Sequence, residues 1–324
     1  MQWKIQRSGA FSEWLNRWAV RRGFPVLAWL APRVPRWLMF AGARATMAVV
    51  FFFHKKPRPA IARNLARVLG LPPESRAVRR AVDEMIRHFA YYWVDLFRFG
   101  QLPPDRLREL IVGGDVRAID PLRKKREAGE RVLLLTAHIG NWELGAVMLG
   151  GAELPLSVIY VRDEFEQAEL FRSRLRRSVD VQEIPLDPRD RFSSLPILRA
   201  FSERRIVALQ GDRDFNEASE EVILFGAETK MPTGPFLLAR MTGARLYPTF
   251  IAYSRDHRFE VTLEEPIEVE RTDDRDADVR RAMERWARVL EVAIRRWPTQ
   301  WYNFHDIWPE AAAGVSDVAE RKSA

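Results

Sequence analysis

Short apolar runs alternate with longer amphipathic stretches along most of the chain, and this pattern predicts an α/β protein. Residues 132–135, 157–161 and 206–209 are apolar runs bounded by polar residues, as expected of buried strands. Two further strands are predicted at residues 245–253 and 259–263. We therefore expect a single α/β domain with a central mixed sheet flanked by helices.

The helices are predicted from apolar residues that recur every three or four positions. Residues 75–99 give the longest such pattern, which is carried by Val78, Val82, Met85, Phe89, Trp93 and Phe97. Further helices are predicted at residues 59–69, 115–128, 164–177, 191–204 and 279–297, and another after the Pro/Gly corner at 230–235. Residues 311–324 are expected to form a frayed tail.

The N-terminal segment has a membrane-interface composition, because residues 1–37 interleave tryptophan with arginine. The most apolar stretch, residues 37–53, has 17 residues, at the lower limit for spanning a bilayer. Arg44 near its centre would cost about 2.5–3.5 kcal/mol on insertion. A helix that lies in the interface is therefore favoured over a single span, and a buried core helix is the alternative. We predict a basic, membrane-associating helical segment at residues 1–75 and the α/β domain at 76–310.

The net charge of +8 is concentrated near the N-terminus, where residues 1–80 hold 16 Lys/Arg and only two acidic residues. Such a segment favours an anionic partner: a membrane surface, an acidic carrier protein or a nucleic acid. No nucleic-acid-binding motif is present, so we expect no nucleic-acid partner. The chain has no cysteine, which excludes a thiol nucleophile, disulfides and zinc–thiolate sites.

One histidine stands out by its position after the first predicted strand. His138 would lie at the carboxyl end of that strand, where open α/β sheets bind ligands. Asn141 is a good N-cap, and Glu143 falls in the first turn of the helix that follows. A carboxylate beside a histidine fixes its tautomer and stabilises the imidazolium, so we predict His138 as a general base oriented by Glu143. Alternatively, His138 merely ends the strand and Glu143 is an ordinary first-turn acid.

Several motifs occur in the order and approximate spacing of a known family. They are Ala62-Arg-Asn-Leu65, His138-Ile-Gly-Asn-Trp-Glu143, Val158-Ile-Tyr-Val-Arg162, Gly211-Asp-Arg-Asp-Phe215, Pro232-Thr-Gly-Pro235 with Ala239, Thr242-Gly-Ala244 with Pro248, and Pro298-Thr-Gln-Trp301. On these motifs, residues 20–308 resemble the bacterial lipid A biosynthesis acyltransferases, or late acyltransferases, of the lysophospholipid acyltransferase superfamily. The resemblance implies a glycerolipid acyltransferase-like fold.

The resemblance also implies an activity: transfer of a fatty acyl group from an acyl carrier protein or coenzyme A thioester to a hydroxyl of a lipid A precursor or related glycolipid. The thioester is a co-substrate, so neither a cofactor nor a metal is expected. The implied location is the cytoplasmic face of the inner membrane. Because the chain has neither cysteine nor a G-x-S-x-G motif, we expect direct transfer with His138 as base.

The remaining candidate residues follow from the needs of that reaction. The tetrahedral oxyanion needs hydrogen-bond donors, for which Arg162 and the backbone N–H groups of Gly140 and Asn141 are candidates. Asp212 and Arg213 are candidates for positioning the acceptor or its phosphate. The other substrate-binding candidates are Asp214, Thr233 and Gly234. The alternatives are that the charged residues form salt bridges at strand ends and that Thr233-Gly234 only starts a helix.

Two departures from the family pattern leave the acceptor open. Arg213 stands where the family often has glutamine, and residues 302–308 lack the arginine-rich sequence common in lipid A enzymes. An acyltransferase for a phospholipid or phosphatidylinositol mannoside is one alternative. The others are a non-catalytic lipid-binding protein and a metal-dependent hydrolase using His138 and Glu143.

Overall fold

A six-stranded sheet lies at the centre of the computed structural model, which describes residues 23, 25–53, 57–99, 102, 104–112, 119–162, 166–186, 195–213 and 219–308. The strands are β1 Val132–Thr136, β2 Leu156–Tyr160, β3 Gln182–Pro185, β4 Ile206–Gln210, β5 Ser219–Leu224, β6 Ala227–Pro232, β7 Arg245–Tyr253 and β8 Phe259–Leu263. The sheet has the order β3-β2-β4-β1-β7-β8, and β5 pairs with β6 in a separate hairpin. Within the sheet, neighbours are parallel except for the antiparallel pair β7–β8.

Helices cover both faces of this sheet. They are α1 Arg36–Phe53, α2 Pro57–Leu69, α3 Arg76–Phe99, α4 Pro104–Glu109, α5 Ile119–Glu127, α6 Trp142–Gly151, α7 Glu166–Arg177, α8 Leu195–Ser202, α9 Gly234–Thr242 and α10 Arg275–Arg296, followed by a 3₁₀ helix at Pro298–Gln300. The predicted α/β class, with a central mixed sheet flanked by helices, is therefore confirmed.

Strand β1 shows why the central strands consist mostly of apolar residues. Leu133 and Leu135 point into a cluster with Trp286 of α10, whereas Val132 and Leu134 point into a second cluster on the opposite face. Since side chains alternate between the two faces of a strand and both faces are covered, no position is left for a polar residue.

Helix α4 was not predicted from the sequence, and neither were two β elements. Strand β3 has only four residues and two of them, Gln182 and Glu183, are polar. The hairpin β5–β6 contains exposed glutamate and lysine side chains between its buried positions. Neither element has the continuous apolar run that marks the other parallel strands, and the hairpin lies outside the main sheet.

The described part of the N-terminal segment is helical, as predicted, and it is attached to the core by a buried ion pair. Arg36, the first residue of α1, donates through Nε to Oδ1 of the buried Asp95 on α3 at 2.8 Å. Phe40 stacks on Tyr91 with ring centroids 4.0 Å apart. Residues 1–22 and the tail at 311–324 lie outside the described residues, and the domain boundaries at 75 and 310 stay predictions.

Across the parts of the chain that the structure describes, none of the helices combines the length and the apolar character needed to cross a bilayer.

Helix α2 holds the C-terminal segment that follows the 3₁₀ helix. The buried Asn64 donates through Nδ2 to the carbonyls of Asn303 (3.3 Å) and His305 (2.7 Å) and accepts from the backbone N–H of Ile307 (3.2 Å). Beside it, both carboxylate oxygens of Asp306 accept from the Arg63 guanidinium. This contact holds residues 303–307 against the body of the protein.

Replacing Asn64 with alanine removes three hydrogen bonds from a buried position. We expect the free energy of unfolding to fall by about 2–3 kcal/mol, because the backbone groups left behind lose their partners. Denaturant titration measures the change. Arg80→Ala, on the exposed side of α3, is the control and should change stability by less than about 0.5 kcal/mol. An equal effect of both substitutions would contradict the assigned role of Asn64.

Candidate active site

The turn after β1 is shaped by a glycine that no other residue can replace without strain. Gly140 has φ +60°, and a Cβ at this position would lie 2.1 Å from the carbonyl oxygen of Ile251 on β7. The close approach lets Asn141 N–H donate to that carbonyl at 2.7 Å. Asn141 is the N-cap of α6, as predicted, and its side chain accepts from Leu144 N–H. The loop that carries His138 is therefore fixed between β7 and the start of a helix.

His138 is paired with a carboxylate from the neighbouring strand. Its ring nitrogen Nδ1 lies 2.8 Å from Asp212 Oδ1, and its backbone N–H donates to Asp212 Oδ2 at 3.1 Å. Trp301 also donates to Oδ2 through Nε1 at 3.0 Å. The pair forms because Thr136 and Gln210 are register partners at the ends of β1 and β4, and His138 and Asp212 follow them by two residues.

The electrostatics of this pair favour an ionised aspartate and a neutral histidine. Burial, together with the Arg213 cation, lowers the pKa of His138 from its usual 6.5, although the Asp212 carboxylate opposes this. Burial alone would raise the pKa of Asp212, but attraction to His138, the hydrogen bonds from it and the Arg213 charge hold that pKa well below its usual value. Nδ1–H then donates to Asp212, and Nε2 carries the lone pair that can accept a proton.

The prediction that Glu143 is the orienting partner of His138 is corrected by these contacts. Both Glu143 oxygens accept from the Arg176 guanidinium, one of them from Nε at 3.1 Å. Glu143 is 2% exposed and Arg176 5% exposed, and Glu183 lies 3.3 Å from the same guanidinium. Helix α6 directs Glu143 towards α7, so its carboxylate neutralises a buried cation while Asp212 holds Nδ1 of His138.

Arg213 donates hydrogen bonds to the C-terminal segment. Its Nε donates to Asn303 Oδ1 at 2.7 Å, and its Nη2 donates to the carbonyl of Tyr302. Burial lowers the pKa of Arg213 to about 10. The guanidinium thus ties the end of β4 to the C-terminal segment, and its predicted role in positioning the acceptor's phosphate stays a prediction.

The backbone donors predicted for the oxyanion are already used. Gly140 N–H donates to the Gln300 carbonyl at 2.9 Å, and Asn141 N–H donates to Ile251. Both groups support the loop, so the prediction that they bind the oxyanion is corrected. Arg162 is exposed after the end of β2, and Asp214 lies outside the described residues.

Thr233 and Gly234 lie at the start of α9, where Thr233 is the residue before the first helical position and Gly234 is exposed. This agrees with the helix-start alternative, and neither residue lines the cavity described next.

An apolar cavity lies between α6 and one face of the sheet. Its empty volume is about 870 Å³, part of which is open to solvent. Its apolar wall is formed by Ile119, Leu122, Leu134, Ala146, Leu149, Leu156 and Val158, among others. Thr136, Gln210 and Trp142 also line it, and the Trp142 ring centroid is 5.2 Å from that of His138. One end of the cavity therefore lies beside the His138–Asp212 pair.

Three contributors to this site were not assigned a role from sequence: Trp301, Arg176 and Gln210. Trp301 belongs to the Pro298–Trp301 motif, which is one of the motifs that the chain shares with the family. Its place in that motif is the signal in the sequence that could have identified it as a site residue. Arg176 lies in a stretch with no motif, and only the packing of α7 brings it to the cavity. Gln210 directly precedes the Gly211–Phe215 motif, but only the register of β4 places it at the cavity.

Comparison with known proteins decides the class of this site. The model of the family described as "Bacterial lipid A biosynthesis acyltransferase" matches residues 6–310. The chain belongs to this family. The acyltransferase is 29% identical over 261 residues to a phosphatidylinositol mannoside acyltransferase of Mycolicibacterium smegmatis, covering 79% of this chain and 80% of the relative.

A second relative has the same printed name. The phosphatidylinositol mannoside acyltransferase of Mycobacterium tuberculosis (strain H37Rv) is 30% identical over 239 residues, covering 72% of this chain and 71% of the relative. The predicted family and enzyme class are confirmed. This sets aside the alternatives of a non-catalytic lipid-binding protein and a metal-dependent hydrolase.

Replacing Asp212 or Glu143 with its uncharged amide should have different effects on activity and stability. We expect Asp212→Asn to lower kcat by about 10³–10⁴-fold, because the amide cannot stabilise the imidazolium or hold the correct tautomer. We expect Glu143→Gln to lower the free energy of unfolding by about 3 kcal/mol, because the buried Arg176 charge loses the nearer of its two carboxylate partners. At temperatures well below unfolding, it should lower kcat by less than about 10-fold. Steady-state kinetics and denaturant titration of both variants test this.

The double variant Glu143→Leu with Arg176→Met is the control, since removing both charges together should recover most of the lost stability. A kcat loss in Glu143→Gln as large as that in Asp212→Asn, at unchanged stability, would restore Glu143 as the partner of His138.

The lowered pKa of His138 predicts the acid limb of the pH profile. The base must be neutral to accept a proton, so kcat/KM should fall as pH decreases through the pKa of His138. Since burial and Arg213 place that pKa below 6.5, we expect the half-maximal point to lie below pH 6.5. Initial rates across pH 4.5–8 at subsaturating substrate measure it. A half-maximal point above 6.5 would show that the imidazolium is the favoured resting form.

Proposed function

We propose that this acyltransferase moves a fatty acyl group from a thioester, carried by coenzyme A or an acyl carrier protein, directly to a hydroxyl of a glycolipid. The observation that carries the proposal is the His138–Asp212 pair at one end of an apolar cavity. The cavity suits an acyl chain, since apolar walls bind hydrocarbon by excluding water. The His138–Asp212 pair suits the activation of an acceptor hydroxyl that lies beside the thioester end of that chain.

The reaction needs no covalent acyl-enzyme. Nε2 of His138 takes the proton of the acceptor hydroxyl as its oxygen forms a bond to the thioester carbonyl carbon, and the carbonyl electron pair moves onto oxygen. Asp212 stabilises the imidazolium formed in this step. When the tetrahedral intermediate collapses, the C–S bond breaks, and the leaving thiolate takes the proton from His138. The products are an ester and a free thiol.

We infer that the acceptor belongs to the phosphatidylinositol mannoside class and is not a lipid A precursor. Both relatives reported above are named for phosphatidylinositol mannosides, and they cover most of this chain. The departures at Arg213 and at residues 302–308 from the lipid A enzymes agree with this choice.

A membrane surface is the proposed source of the acceptor. Helix α1 packs on α3 through Phe40 and exposes Trp37, Leu38, Val49 and Val50 on its other side, with Arg44 exposed between them. Exposed apolar side chains next to cations favour a helix that lies in the interface of an anionic bilayer. Peripheral attachment would let a lipid headgroup reach His138. The cytoplasmic face of the inner membrane stays the predicted location.

The experiment is an acceptor panel. Purified protein is incubated with long-chain acyl thioesters of coenzyme A or acyl carrier protein, together with a phosphatidylinositol mannoside, a lipid A precursor or a phospholipid, and products are read by mass spectrometry. We expect a new ester on the mannoside, with a rate that falls by about 10²–10⁴-fold in His138→Ala because the general base is lost.

His257→Ala changes an exposed histidine and is the matched control, with an expected rate equal to wild type. Ester formation on the lipid A precursor in preference to the mannoside would overturn the acceptor assignment. Transfer undiminished in His138→Ala would overturn the general-base role, and release of fatty acid without any ester would indicate a hydrolase.

A further inference from the structure

The amide of Gln210 is placed where the cavity meets the catalytic pair. Gln210 is the last residue of β4, lines the cavity and pairs in register with Thr136 of β1. Asp212 follows it by two residues on the same strand end, and His138 follows Thr136 by two. Gln210 therefore lies at the end of the cavity that is nearest to the pair.

The amide nitrogen of Gln210 has no hydrogen-bond acceptor among the residues that the structure describes. Its Nε2 is buried and makes no hydrogen bond there. Two other polar groups that line the cavity are already engaged: Glu143 with Arg176, and Thr249 Oγ1 with the Tyr247 carbonyl at 3.1 Å. A buried N–H without an acceptor costs free energy, so a site that retains one is expected to satisfy it in another state.

An occupant of the cavity supplies the missing acceptor. An acyl chain seated among the apolar walls has one oxygen at its reactive end, that of the thioester carbonyl. This oxygen becomes negatively charged as the acceptor hydroxyl attacks. The backbone N–H groups of Gly140 and Asn141 are held in other hydrogen bonds, and Arg162 is exposed. Asn141 Nδ2 is also buried without a partner among the described residues, but Asn141 does not line the cavity. The oxyanion therefore needs a donor from the cavity wall.

We propose that Gln210 is a catalytic residue of the acyl transfer, and that its Nε2–H donates to the thioester carbonyl oxygen and to the oxyanion formed from it. The inference rests on the function proposed above. Gln210 gains and loses no proton: the hydroxyl proton goes to His138 and then to the leaving thiol, while the electron pair that Gln210 stabilises returns to the carbonyl when the C–S bond breaks. The hydrogen bond strengthens as negative charge develops, so it acts mainly on kcat.

The test is Gln210→Met, which keeps the length of the side chain and removes the donor. We expect kcat for acyl transfer to fall by about 100-fold or more, with little change in KM for the thioester. The thermal midpoint of the free enzyme should stay the same or rise, because a buried N–H without a partner has been removed. An amide that merely supported the fold would give the opposite result, a lower midpoint.

Thr262→Val is the matched control. Thr262 Oγ1 is another buried polar atom without a hydrogen-bond partner among the described residues, and Thr262 does not line the cavity. This variant should leave both kcat and KM unchanged. If kcat of Gln210→Met equals that of wild type, or if it falls together with the thermal midpoint, or if Thr262→Val loses as much, the proposal is wrong.

The same assay separates this inference from the proposed function. A wild-type enzyme that forms an ester, beside a Gln210→Met variant that is equally fast, overturns only the role of Gln210. A folded wild-type protein that forms no ester with any thioester and acceptor of the panel overturns the proposed function, and the role of Gln210 with it.

Discussion

The carboxylate of Asp212 joins three separate parts of the chain at one point. It accepts from the ring and backbone of His138 after β1, and from the indole N–H of Trp301 after the 3₁₀ helix, while it is itself carried by the end of β4. A buried carboxylate stays ionised only where such donors surround it, since burial alone favours the protonated acid. The charge of Asp212 is thus both a product of the fold and the condition under which His138 acts as a base.

The surroundings of this carboxylate are built mainly by the C-terminal segment. Tyr302 N–H donates to the His138 carbonyl at 2.8 Å, and the Tyr302 carbonyl accepts from Arg213. Asn64 on α2 holds the residues that follow. A helix from the N-terminal part of the chain therefore supports the position of the His138–Asp212 pair without touching it. The departures from the lipid A enzymes at residues 302–308 fall within this supporting structure.

The apolar cavity has charged side chains in its wall, and an isolated charge in such a place is costly because it has lost its water. Glu143 and Arg176 neutralise each other within its wall, and the Arg176 guanidinium also lies 4.7 Å from the Tyr160 ring centroid. A buried pair of this kind stabilises little in total, since the loss of water around both ions offsets most of their attraction. It does keep the apolar cavity free of an isolated charge.

The sequence alone determined the features that depend on near neighbours. Local apolar spacing and capping residues predict the strand after Arg131, the N-cap at Asn141 and the helix that ends near Trp297. The position of His138 at a strand end follows from the first two of these. The ordered motifs also determined the family. The partner of His138 could not be read in this way, since Glu143 lies five residues away in sequence whereas Asp212 lies 74 residues away. Only the register between β1 and β4 places Asp212 beside the ring, and only the packing of α6 against α7 turns Glu143 towards Arg176. Tertiary structure decided between two plausible carboxylates because strand pairing and helix packing fix directions that residue spacing along the chain does not contain.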